Sequence, residues 1–261
     1  EARALIDASP GGAEPDSSVE PEGDPDPEPE GDALAHSGGD ATSDSESVEP
    51  FELTPGVNVL SWQQSLASGE VTRHLKIHGP QTYPNHDPLP SVLAFHGNAY
   101  DAPEGAEPES QWIGQLGPMV DQERFIGVYL RGVEGSWQLG SEPGEVTTEE
   151  VVDTIVYLQR RLAVTPGFDA ERSYCFGSSN GAALCHYSAA NVGLFKGIGA
   201  VVSTLDAGDF PDPELPKVSV VQILNFKDGL IPYEGGASSV GHTFMAAEDG
   251  AAAWAEHNGC D

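Results

Sequence analysis

Residues 177–181 read Gly-Ser-Ser-Asn-Gly, so two glycines bracket Ser179 in a Gly-x-Ser-x-Gly pattern with Ser178 at the variable position. An apolar run, RSYCF, precedes the pattern and an alanine-rich run, NGAALCHYSAAN, follows it. That context predicts a sharp strand-to-helix turn whose flanking positions lie too close to neighbouring backbone to carry side chains. On such a turn Ser179 is the candidate nucleophile for acyl transfer, with Oγ lifted above the sheet edge. The amide of Asn180, at the start of the helix, is expected to hold a developing oxyanion. Asn98, in the loop after the buried run PLPSVLAFHG, is expected to supply the second donor. His96 ends that run, upstream of the serine and on another strand, and reads as a structural histidine bonding loop backbone.

A serine nucleophile needs a base and a group to orient that base. Asp228 follows the apolar run VSVVQIL, where a carboxylate reaches the C-terminal edge of a sheet; its competing role is a turn-forming Asp-Gly pair. The chain order Ser, Asp, His leaves His242 and His257 as the histidines beyond Asp228. His257 falls in the last turn of a predicted helix, where a cation is mildly favoured. His242, behind Gly241 in the loop SSVGHTF, is the base the residues offer. Trp137 in GSWQLG and Tyr233 in IPYEGG are candidates to line an acyl or alcohol pocket, with core packing the competing role for each. The eight histidines show no HExxH or other close ligand spacing, so no metal is expected, and a serine mechanism needs no cofactor.

Alternating strands and helices must position these groups. VTRHLKIHG reads as an edge or half-buried strand, PLPSVLAFHG and FIGVYL as buried parallel strands, and RSYCF, GIGAVVS and VSVVQIL as further strands. TTEEVVDTIVYLQRRL is an amphipathic helix, with Thr147 and Glu150 at capping-box spacing. NGAALCHYSAAN is a small-residue helix, and AAEDGAAAWAEHNG a final one ending on Asn258 and Gly259. Such alternation predicts an α/β domain with a mostly parallel sheet and helices on both faces. Cys175 and Cys185 fall in a strand and the following helix and read as small buried hydrophobes; three cysteines leave at least one unpaired if any disulfide forms.

In this order, AFHGN, GSWQLG, VDTIVYLQRRL, FDAERSYCFGSSNGAA, DGLIPYEGG and AAAWAEHNGC resemble the extracellular polyhydroxybutyrate depolymerase and feruloyl esterase group of α/β-hydrolases. The resemblance runs from about Gly69 onward. It implies a secreted serine esterase acting on polyhydroxyalkanoate-type, feruloyl or acetyl polysaccharide esters through an acyl-enzyme on Ser179, with Asp228 in FKDGLIPYEGG as the acid. LNFKD stands where similar proteins carry His-Gly ahead of the acid. Their base follows a final strand after the Trp and Asn-Gly-Cys segment, whereas this sequence ends at Asp261, so the resemblance implies a missing last strand and a base beyond the residues given. Two alternatives stay open: a catalytically incomplete binding protein on the same scaffold, or a peptidase or thioesterase.

Composition bounds the partners. Forty-two acids against 11 bases give a formal charge of −31, which argues against a phosphate-backbone ligand and so against nucleic acid. Residues 1–50 carry 15 of those acids and one base, Arg3, among prolines and glycines, and read as a disordered acidic linker ahead of a hydrolase domain at 51–261. No stretch of 18 consecutive apolar residues exists to span a membrane, and an acidic Pro-rich spacer suits a secreted or surface-tethered protein.

Overall fold

The computed structural model describes residues 48–100, 102–103, 105–140 and 146–260. Of the linker expected at residues 1–50, residues 1–47 lie outside the described residues. From Phe51 the chain is anchored: its amide donates to Thr165 Oγ1 at 2.9 Å, and the Arg161 guanidinium lies 4.0 Å over its ring.

Seven strands form the main sheet: β1 (Gly56–Leu66), β2 (Gly69–Gly79), β3 (Leu89–Phe95), β4 (Ile126–Leu130), β5 (Phe168–Ser178), β6 (Gly197–Val201) and β7 (Ser219–Ile223). Their order across the sheet is β1-β2-β4-β3-β5-β6-β7. Strands β4, β3, β5, β6 and β7 run parallel, and the β1–β2 hairpin joins antiparallel at β4. All five residues of β4 are buried, as a parallel strand within a covered sheet requires. β2 is an interior strand rather than an edge, because β1 pairs along its full length from Gly56↔Gly79 to Leu66↔Gly69. Nothing in the apolar pattern marked β1: Leu60, Trp62 and Leu66 pack against the core, but Val57 and Val59 on its other face are exposed, so apolar residues occupy both phases.

The helices are α1 (Ile113–Val120), α2 (Thr148–Val164), α3 (Asn180–Asn191) and α4 (Ala247–Asn258). The capping box of α2 is formed: the Glu150 amide donates to Thr147 Oγ1 at 3.2 Å, and Glu150 Oε2 accepts from the Thr147 amide at 2.9 Å. Glu150 also accepts from the Ser68 amide at 2.9 Å, and these backbone donors hold its carboxyl below the usual range. α1 forms although Gly114, Gly117 and Pro118 all disfavour a helix; burial of Leu116 and Val120 outweighs them. α4 docks through Trp254, whose indole Nε1 donates to the buried His186 Nδ1 of α3 at 3.1 Å; burial lowers that imidazole to about 4, so it is neutral.

The expectation for the cysteines is overturned. Cys175 of β5 and Cys185 of α3 form a disulfide across a Cα–Cα distance of 5.9 Å, leaving Cys260 free and exposed. Strand and helix meet at an acute turn, so positions ten apart face each other; spacing alone did not disclose it. Closing so short a loop is worth about 3 kcal/mol. Reduction is therefore expected to lower unfolding free energy in urea by that amount, and a midpoint indifferent to reductant contradicts this.

Candidate active site

β5 ends at Ser178 and α3 begins at Asn180, leaving Ser179 as the single residue of the turn. Its backbone sits at φ 51°, ψ −123°, a conformation costly for any residue with a Cβ, on the order of 1–3 kcal/mol. The surroundings enforce it. Ser179 N–H donates to Val201 O at 2.8 Å, while Ala182 and Ala183 donate back to Ser179 O at 2.9 and 3.0 Å. A Cβ on Gly177 would lie 2.4 Å from Gly181 O, and one on Gly181 would lie 2.4 Å from His96 O and 2.6 Å from Phe95 O. Both glycines are thus required by close backbone contact, and the serine they bracket is half-exposed.

Asn180 fastens the turn to the loop after β4. Its side-chain Oδ1 accepts from the Trp137 amide at 2.8 Å and its Nδ2 donates to Trp137 O at 2.9 Å. At the first position of α3 the Asn180 amide has no intrahelical acceptor, which leaves it available to a ligand. Trp137 is buried, with its Nε1 donating to His96 O at 2.9 Å and its ring edge-on to Phe95 at 5.0 Å. His96 is structural, as its position suggested: Nδ1 donates to Gly97 O at 2.6 Å and Nε2 accepts from the Gly132 amide at 3.0 Å. Burial lowers its pKa, consistent with that neutral tautomer.

A cavity of about 310 Å³ opens beside the turn. Ser179, Asn98, Asn180, Trp137 and His242 all line it, together with the apolar side chains Leu139, Ile231, Val240 and Phe244. His242 is the one ionisable group in this wall among the described residues. A wider groove of about 740 Å³ along β7 and α4 has no serine–histidine pair.

His242 Nδ1 lies 2.7 Å from Asp206 Oδ2, and that hydrogen bond is the main cause of its raised pKa. Asp206 was missed by sequence reasoning; it lies in the loop after β6, upstream of the region where chain order directs the search. Asp228 is placed elsewhere: Oδ1 accepts from the amides of Leu230 and Ile231 at 2.8 and 2.9 Å, closing its own turn, and no histidine bonds it among the described residues. Tyr233 is also apart from the cavity, corrected from the expected lining position: its ring packs on Phe226 at 4.7 Å and its hydroxyl lies 3.5 Å from Glu248. No metal-binding group of three or more His, Cys, Asp or Glu occurs among the described residues, and no described helix is long and apolar enough to cross a membrane.

No family model matches this sequence, and no curated protein matches it. Among solved structures, a thermostable esterase aligns with a TM-score of 0.56 at 15% identity, over 77% of this chain and 52% of that one. An S-formylglutathione hydrolase from Agrobacterium tumefaciens aligns at 18% identity and TM-score 0.44, over 59% and 60% of the two chains. A ferulic acid esterase aligns at 12% identity and TM-score 0.40, over 56% and 60%. The chain spans about half the length of the thermostable esterase it matches. That likeness, the mostly parallel seven-stranded sheet and the strand–serine–helix turn define an α/β-hydrolase fold.

Proposed function

We propose that this protein is a serine esterase of neutral carboxylic esters, with Ser179 as nucleophile and His242 as general base. The observation that carries the reading is the shared cavity: a serine on a strained strand-to-helix turn and a histidine with Nδ1 already engaged line one pocket. With Nδ1–H donated to a carboxylate, Nε2 carries the lone pair that accepts the Ser179 proton as Oγ attacks the ester carbonyl. The amides of Asn98 and Asn180 donate to the resulting oxyanion. The alcohol leaves with the proton returned by His242, and water resolves the acyl-enzyme by the same route.

No Lys or Arg lines the cavity among the described residues, and the chain carries a formal charge of −31, so anionic acyl groups are disfavoured. A wall that combines the apolar side chains Leu139, Ile231, Val240 and Phe244 with polar groups, and a volume of about 310 Å³, suit one hydroxyalkanoate or feruloyl unit of a longer ester polymer. The disulfide supports a secreted or cell-surface setting, where oxidising conditions preserve it.

A fluorophosphonate probe, followed by peptide mapping, is expected to modify Ser179 and to be competed by p-nitrophenyl butyrate as that ester is hydrolysed. Absence of both labelling and hydrolysis would favour a binding protein on a hydrolase scaffold and overturn the esterase reading.

A further inference from the structure

Resting on that reading, we propose that Asp206, and not Asp228, is the carboxylate that holds His242 in its working orientation. Backbone pairing and side-chain contact both carry the assignment. β8 (Gly236–Ala237) pairs with β9 (Thr243–Phe244) in a small antiparallel ribbon whose second strand begins directly after His242. The loop after β6 pairs with that ribbon. Met245 N donates to Leu205 O at 2.8 Å and Ala207 N to Thr243 O at 2.7 Å, with Asp206 and Phe244 as bridge partners. This register fixes the Asp206 side chain alongside His242, and the 2.7 Å contact between Oδ2 and Nδ1 follows.

The loop that delivers Asp206 leaves β6 through Val202, which holds φ 57°. A β-branched residue there is a true outlier, retained only where the surroundings over-determine it. Its amide is locked to Ile223 O at 2.8 Å, and buried Ser203, next along the loop, lines the same cavity as Ser179. Asp228, by contrast, spends Oδ1 on the amides of its own turn. Among the described residues the charged group that contacts His242 is Asp206, and behind it lies Asp209, whose amide donates to Asp206 O at 3.0 Å and whose carboxyl is pushed up by burial and by the Asp206 charge.

Asp206 is a positioning residue: it selects the Nδ1–H tautomer and stabilises the imidazolium that forms when Ser179 is deprotonated. The test compares Asp206→Asn, Asp206→Glu and Asp228→Asn in the full chain, by kcat/KM against pH on p-nitrophenyl butyrate and by NMR titration of the His242 ring. Asp206→Asn is expected to lower kcat/KM by about 10³- to 10⁴-fold. Its acid limb and the His242 titration should both move to lower pH, because the anion that favours imidazolium is gone. Asp206→Glu should recover part of the rate, and Asp228→Asn should cost less than about tenfold. A loss in Asp228→Asn as large as in Asp206→Asn overturns the proposal. So does a His242 titration that Asp206→Asn leaves unmoved, and that readout decides even in a chain with no hydrolytic activity, where the esterase reading itself would fail.

Discussion

Ser179→Ala is expected to lower kcat for ester hydrolysis by about 10⁶-fold, to the residual rate that binding and oxyanion donors sustain alone. The loss is so large because no other described residue in the cavity offers a replacement nucleophile beside His242: Ser136 donates its hydroxyl to Asn180 Oδ1 at 3.3 Å, and Ser203 is fully buried. Alanine keeps a Cβ and therefore keeps the strained backbone, so stability should change little. Ser179→Gly separates the two effects. Glycine adopts φ 51° without a Cβ clash, so this variant should be equally inactive yet about 1 kcal/mol more stable, the strain relieved less the added chain entropy of glycine. Steady-state kinetics with urea melts of all three chains check both statements. A Ser179→Gly chain less stable than wild type would show that the turn is not strained.

Gly181→Ala is expected to destabilise the domain by about 3 kcal/mol, against the normal preference for alanine inside a helix. A methyl group 2.4 Å from His96 O and 2.6 Å from Phe95 O meets backbone at the end of β3, which has no rotamer to escape into. Either α3 moves off the sheet or the loop carrying His96, Gly97 and Asn98 shifts. Because Asn98 and Ser179 face one cavity across that contact, activity should fall as well, by about 10²-fold for a displacement on the order of 1 Å. An unchanged urea midpoint together with an unchanged rate would contradict the close packing that requires glycine at both ends of the Gly-x-Ser-x-Gly pattern.

The turn at Ser179 was legible because its requirements are local. Two glycines, a preceding apolar run and a following helix are consecutive in the chain, and the close contacts at Gly177 and Gly181 are the physical content of that spacing. Helix α2 was legible for the same reason, since its capping box needs only Thr147 and Glu150. The β1–β2 hairpin was half hidden: β2 read as a strand, but β1 shows apolar residues in both phases and its partnership is set by pairing, not by its own pattern. The ribbon of β8 and β9 is two residues per strand, too short for any periodicity to register.

By itself, then, the chain's residue order determined the mostly parallel α/β architecture and the turn that presents Ser179. Tertiary structure alone decided which carboxylate stands beside His242 and that Cys175 and Cys185 are joined. The reason is distance along the chain. Asp206 and His242 are 36 positions apart and meet only because a single bridge between Asp206 and Phe244 aligns two segments, an event with no signature in either segment's composition.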